Sequence, residues 1–140
     1  MNIKEIQNEI VAEFSMFDDW MERYEYIIEL GKGLPIIEEH FKTEDNIIKG
    51  CQSKVWVDCR FSDGKMLFTA DSDAIITKGI IAMLIRVLDN EKPEEIAKCD
   101  FHFIDEIGLY EHLSPTRSNG LASMVKKMKM AALMAVGQKG

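Results

Sequence analysis

The stretch that decides the fold is Val55-Trp56-Val57-Asp58-Cys59-Arg60-Phe61-Ser62-Asp63-Gly64-Lys65-Met66-Leu67-Phe68-Thr69-Ala70. Val55, Val57, Cys59 and Phe61 alternate with Trp56, Asp58 and Arg60, the period-two pattern of a strand with one buried face. Ser62 to Lys65 carries Asp-Gly at its centre, the pair favoured in a tight hairpin because both central residues take positive φ. Met66 to Ala70 then reads as the returning strand. Cys59 shares a face with Val55, Val57 and Phe61 and is expected to be a buried structural thiol.

Immediately upstream lies Asn46-Ile47-Ile48-Lys49-Gly50-Cys51-Gln52-Ser53-Lys54. Gly50 has access to backbone angles closed to other residues. A loop turning there lifts the Cys51 sulfur to its tip, while the strand from Val55 fixes its base. A third strand is expected near Ile47. Downstream, Asp71-Ser72-Asp73 is rich in helix-capping side chains and opens the most apolar helix of the chain, Ala74 to Leu88. A helix that is hydrophobic on nearly all sides belongs at the centre of a fold. Lys78-Gly79 interrupts it, and Gly79 either permits close packing against a neighbour or leaves room for the Cys51 loop.

Before this block, Ile3, Ile6, Ile10, Phe14 and Phe17 mark one face of a first helix. Asp19 and Glu22 resemble a capping box opening a second, with Trp20, Tyr24, Ile27 and Ile28 as its stripe and Gly31 as its stop. Gly33 to Pro35 is a turn, Ile36 to Phe41 a short helical piece, and Lys42 to Asn46 a polar loop. His40 there is a lone surface histidine. After the central helix, Pro93-Glu94-Glu95 starts a short helix, Cys99 to Phe103 is irregular, and Ile104 to Leu113 is helical. Cys99 and His102 are spaced like a pair of metal ligands, but no second close pair accompanies them, and packing is the expected role. Ser114 to Gly120 reads as a sharp polar loop. Leu121, Met124, Val125, Met128, Ala132 and Ala135 stripe the last helix, whose Lys126, Lys127 and Lys129 face solvent or an acidic partner.

These elements give an α/β chain of the α+β kind: a small antiparallel sheet of about three strands, with helices mainly on one face. The 140 residues are expected to form one domain, 1–140. The net charge of −7 argues against nucleic-acid or anionic-membrane partners, leaving proteins and small molecules. The apolar run Ile80 to Ile85 is far too short to span a bilayer. Met1 to Ile6 has no signal-peptide core. Three cysteines without dense spacing point to free thiols in a reducing, cytoplasmic compartment.

No Gly-x-Ser-x-Gly elbow, phosphate-cradling glycine loop or His-Glu-x-x-His helix is present. The chemistry-bearing candidates are Cys51, the acidic Asp71-Ser72-Asp73 and Arg117. Taken singly, each has a plain reading: an idle thiol, a helix cap and a local ion pair. Taken together they form a pattern. Gly50-Cys51-Gln52-Ser53 with Val55-Trp56, Ala70-Asp71-Ser72-Asp73-Ala74 with Lys78-Gly79, and Leu113-Ser114-Pro115-Thr116-Arg117-Ser118 with Gly120-Leu121 resemble the SufE family. Tyr26 to Gly31 and Leu34-Pro35 fit as well. The resemblance runs in order from about Trp20 to the last helix.

That resemblance implies a SufE/IscU-like fold and a sulfur carrier in iron–sulfur cluster assembly. A SufS-like cysteine desulfurase would hold sulfur as a persulfide, and the Cys51 thiolate would take it. The protein would then be an activator of the desulfurase rather than a stand-alone enzyme, as a monomer or homodimer. A downstream cluster scaffold would receive the sulfur, and neither a cofactor nor a metal is implied. Gly50, Gln52, Ser53, Asp73 and Arg117 match family positions that support the cysteine or dock the partner. Thr116 stands where serine is common, keeping a hydroxyl. An unperturbed cysteine has a pKa of about 8.5, so flanking Lys49 and Lys54 would modestly raise the thiolate fraction. Two other classes compete: a cluster scaffold, which needs about four ligands, and a thiol oxidoreductase, for which no Cys-x-x-Cys pair exists.

Overall fold

A computed structural model describes residues 1–50 and 53–138. The hairpin forms as its sequence dictates. Strands β1 (Val55–Ser62) and β2 (Lys65–Ser72) pair antiparallel from Val55 opposite Ser72 to Ser62 opposite Lys65. Asp63 and Gly64 close the turn at φ 52° and 78°. Val55, Val57, Met66, Phe68 and Ala70 are buried on one face. The alternation fails at Asp58, which is buried with its carboxylate 2.6 Å from the Arg60 guanidinium. Cys59 is half-buried rather than fully enclosed.

Among the described residues the sheet has two strands, and the expected third near Ile47 contracts to a single antiparallel bridge from Ile47 to Trp56. A 3-10 turn at Glu44–Asn46 precedes Ile47, and the positive φ of Gly50 turns the chain just after it, so no length remains for a strand. Both hairpin edges are nevertheless occupied. On β1, Ile48 N–H donates to Val55 O (2.8 Å); on β2, Ala70 N–H donates to Pro35 O (3.1 Å) and Phe68 N–H to Asp89 Oδ1 (2.8 Å). Covered edges do not template pairing with a second chain.

Helix α1 (Ile3–Phe14) opens with a full capping box between Asn2 and Glu5 and buries Ile3, Gln7, Ile10 and Phe14. Helix α2 (Trp20–Gly31) is capped as expected by Asp19, whose Oδ1 accepts the Glu22 N–H. Helix α3 (Ile75–Leu88) is the central helix, with Ile80, Ile81, Met83, Leu84, Val87 and Leu88 at most 2 % exposed. Helix α1 is tied to it by Arg86, which reaches both oxygens of Glu13 at 2.8 and 2.6 Å.

The contact between α2 and α3 is set by two glycines. A Cβ on Gly79 would lie 2.0 Å from the Ile27 carbonyl oxygen, and one on Gly31 would lie 2.9 Å from Gly79 N. Close packing is therefore the role of Gly79. Gly31 is a packing residue too, since α2 ends without a left-handed glycine and its C-cap is Lys32 in the right-handed region.

Helix α4 (Pro93–Lys98) starts on its proline. The helix expected from Ile104 to Leu113 is split: α5 (His102–Ile107) stops at Gly108, φ 84°, and α6 (Leu109–His112) restarts from it. The polar stretch Ser114 to Gly120 is not a loop. Ser114 caps α7 (Pro115–Ala135), its Oγ accepting the Arg117 N–H at 3.3 Å, and proline occupies the first turn. A serine cap followed by proline is a strong helix start, which here outweighs the polarity of the segment. Leu121, Met124, Met128, Ala132 and Ala135 are the buried stripe of α7. The observed architecture is α+β, helices packed round a two-stranded hairpin. Among the described residues no helix is long and apolar enough to cross a membrane.

The glycine crossing makes a direct prediction. Gly79→Ala forces α2 and α3 apart, and overpacking against backbone destabilises by about 3 kcal/mol or more. At Gly33 an added Cβ would meet only Leu30 O at 3.7 Å, so Gly33→Ala should leave the thermal unfolding midpoint nearly unchanged. Chemical denaturation of both variants tests the contrast.

Candidate functional site

The residues on either side of Cys51 and Gln52 are anchored to the fold. Before it, the Gly50 backbone lies against α7, where a Cβ would come 3.5 Å from Ser123 Oγ. After it, Lys54 is gripped by the end of β2. Its N–H donates to Asp73 Oδ1 (3.0 Å), while its carbonyl accepts from Asp73 N–H (3.2 Å) and Ser72 Oγ–H (3.0 Å). Cys51 and Gln52, expected as the acceptor thiol and a supporting residue, lie outside the described residues.

The Asp71-Ser72-Asp73 triplet does not cap α3. The N-cap position is Ala74, whose side chain cannot accept a hydrogen bond, so the first-turn N–H groups receive no side-chain cap among the described residues. Each polar side chain is drawn elsewhere because β2 runs on to Ser72. Asp73 holds Lys54, and Ser72 Oγ accepts the Ala74 N–H (3.1 Å) while donating to Lys54 O. Asp71 sits between Lys42 Nζ (3.0 Å) and Lys78 Nζ (3.4 Å). Burial alone would raise the Asp71 carboxyl, but hydrogen bonds from Lys42 and the Ser72 N–H, with the charges of Lys42 and Lys78, bring it below its ordinary value.

A cavity of about 400 Å³ opens beside this latch. Its rim carries Ser53, Asp73 and Arg117, so three residues expected from separate parts of the sequence meet around one hollow. Ala74 and Thr116 form part of the wall, and Thr77, Ile80, Gly120 and Met124 are buried at its base. Arg117 reaches the rim because it is the third residue of α7; Asp73 reaches it from the β2–α3 junction. Gly50 is not part of this lining. It adjoins a second hollow of about 330 Å³ formed by Lys49, Ser123, Lys126, Lys127 and Met130 with Ile47 and Ile48. Lys49 is engaged there by Glu44 (3.5 Å), and Lys127 Nζ donates to Asp45 O (2.9 Å).

The other two cysteines are placed elsewhere. Cys59 lies on β1, where burial pushes its thiol up to about 12, against the opposing effect of Lys127. Cys99 is buried, accepts a contact from Gln7 Nε2 at 3.6 Å, and is likewise raised by burial. His102 is satisfied by Asp100 (3.0 Å) and Asn8 (3.1 Å). His40 stays on the surface near Glu38. Among the described residues, no three His, Cys, Asp or Glu side chains converge as a metal ion would require.

Sequence reasoning missed Thr77, and it missed that Met124 and Gly120 form the cavity base. Thr77 had a signal: it is the single hydroxyl in the Ala74–Leu88 run. The clasp of Lys42 and Lys78 on Asp71 had none, because Lys42 lies 29 residues before Asp71 in a segment without periodicity.

A helical domain built round a short hairpin, with a half-polar cavity beside an anchored segment, has clear relatives. The SufE model, described as an Fe-S metabolism associated domain, matches residues 8–132. An uncharacterized SufE-like protein of Rhizobium etli is 42% identical over 130 residues, covering 89% of this chain and 88% of that one. An uncharacterized SufE-like protein of Rhizobium meliloti is 37% identical over 130 residues, covering 89% and 93%. In fold, the chain resembles the solution structure of a hypothetical protein from Thermus thermophilus, with TM-score 0.78 at 19% identity, covering 95% of this chain and 97% of that one. The chain belongs to the SufE family, which assigns it to iron–sulfur metabolism. The family match reaches into α1, further than the resemblance read from the motifs.

The burial of the two described thiols predicts their reactivity. With a value of about 12, Cys59 holds a thiolate fraction on the order of 10⁻⁵ at neutral pH. Brief iodoacetamide treatment should leave Cys59 and Cys99 unmodified in the folded protein and modify both in denaturant. Peptide mass mapping reads the difference.

Proposed function

We propose that this protein accepts sulfur from the persulfide of a cysteine desulfurase onto Cys51, stimulates that enzyme by doing so, and delivers the sulfur for cluster assembly. The Cys51 thiolate attacks the outer sulfur of the donor persulfide. A new S–S bond forms at Cys51 as the donor's S–S bond breaks, and the donor cysteine leaves as a thiolate. The electron count is conserved, and the step is a thiol–disulfide-type exchange whose rate follows thiolate fraction and access.

The observation that carries this reading is the convergence of Ser53, Asp73 and Arg117 on one cavity, with Asp73 also holding Lys54, three residues after Cys51. Such an arrangement offers a sulfur a hollow of its own and a charged rim for a partner. In this reading Asp73, Gly50 and Ser53 position the segment, Gln52 supports it, and Arg117 meets the desulfurase. A cluster scaffold needs about four ligands, and neither Cys59 nor Cys99 shares this cavity.

Two outcomes test the proposal. Desulfurase turnover, measured as alanine release, should rise with wild-type protein and not with Cys51→Ser, while the unfolding midpoint of that variant stays close to that of wild type; full stimulation by Cys51→Ser would refute the reading. Arg117→Ala should weaken the concentration dependence of stimulation by about two- to fivefold, the scale of an exposed charge contact. Added salt should narrow that gap, and a salt-independent loss would place Arg117 in the thiol's own environment.

A further inference from the structure

The base of the cavity is apolar except at one point. Ile80 and Met124 are each 2 % exposed, Gly120 contributes only backbone, and Thr77 is 6 % exposed between them. Thr77 stands in the first turn of α3, and among the described residues its hydroxyl makes no hydrogen bond, not even to a carbonyl one turn earlier. The remaining polar groups of the cavity, Ser53, Asp73, Thr116 and Arg117, stand nearer the rim, and the Asp73 carboxylate is already engaged by the Lys54 N–H. The hollow thus grades from a charged mouth to an apolar base with one hydroxyl donor.

We infer that Thr77 is the hydrogen-bond donor for the outer, transferred sulfur of the persulfide when that sulfur occupies the cavity. This rests on the carrier reading above and adds the residue that receives the sulfur. A persulfide is a stronger acid than its parent thiol, so its outer sulfur is anionic near neutral pH. That anion is large and polarizable, suited to an apolar chamber such as Ile80 and Met124 provide. It still requires at least one donor, because a buried charge without a hydrogen bond is strongly disfavoured. Thr77 supplies that donor from the buried part of the lining, and the exposed Arg117 supplies a compensating positive charge.

The test compares wild type with Thr77→Val and Thr77→Ser. Each protein is loaded with desulfurase and cysteine, separated from the enzyme, and treated with dithiothreitol. The reagent removes the outer sulfur as hydrogen sulfide, regenerates the Cys51 thiol and itself closes to a cyclic disulfide. Intact mass follows loss of the extra sulfur. Thr77→Val should lose it about tenfold faster than wild type, the effect of one hydrogen bond to a charged group, and Thr77→Ser should match wild type. Removing the donor disfavours the anion, so the pH profile of persulfide alkylation should shift upward in Thr77→Val. Should valine prevent folding, Thr77→Ala against Thr77→Ser makes the same comparison. Equal lifetimes and pH profiles in valine and wild type would overturn the role of Thr77 while leaving the carrier reading intact. Failure of wild type itself to load would overturn both.

Discussion

Helices α2 and α3 approach so closely at Gly31 and Gly79 that a single methyl group at Gly79 would sit 2.0 Å from the Ile27 carbonyl oxygen. Much of the site depends on this contact. It fixes the first half of α3, and with it Thr77 two residues before Gly79 and Ile80 one residue after. It also fixes the junction from which Asp73 reaches back to Lys54. Dispersion at such short range is lost steeply with small separations, so the crossing ties the α3 side of the cavity base to the packing of α2 on α3.

The polar side of the site is organised by the end of β2 rather than by the helix it precedes. Asp71, Ser72 and Asp73 hold, in turn, two lysines, the α3 entry and the Lys54 backbone. The hydrogen bonds from Asp73 and Ser72 to Lys54 make the exit from the Cys51 segment an extension of the hairpin. A site borne on a strand end is held more firmly than one borne on a free loop. The thiols outside it are kept as thiols: burial raises both Cys59 and Cys99 above the ordinary cysteine value.

Much of this is legible in the sequence. The alternation from Val55 to Phe61, the Asp-Gly turn and the apolar run of α3 depend on periodicity and turn chemistry, which are local. So is the Asp19 cap. Sequence reasoning fails where distant partners decide. Asp71-Ser72-Asp73 has the composition of a cap, but Lys42, Lys54 and Lys78 compete for its side chains. Gly31 looks like a helix stop until Gly79 is seen beside it. The polarity of Ser114 to Gly120 suggests a loop, although Ser114 and Pro115 are helix-starting residues. Motif resemblance picks out Asp73 and Arg117; that both edge the same cavity is a property of the fold alone.

The central claim concerns where a transferred sulfur comes to rest. After incubation with a cysteine desulfurase and cysteine, alkylation and peptide mass mapping would locate each added sulfur atom. A carrier of the proposed kind predicts one added sulfur on the peptide containing Cys51, and none on those containing Cys59 or Cys99. Added sulfur on either of the other two cysteines, or none on Cys51 while the enzyme turns over, would contradict it.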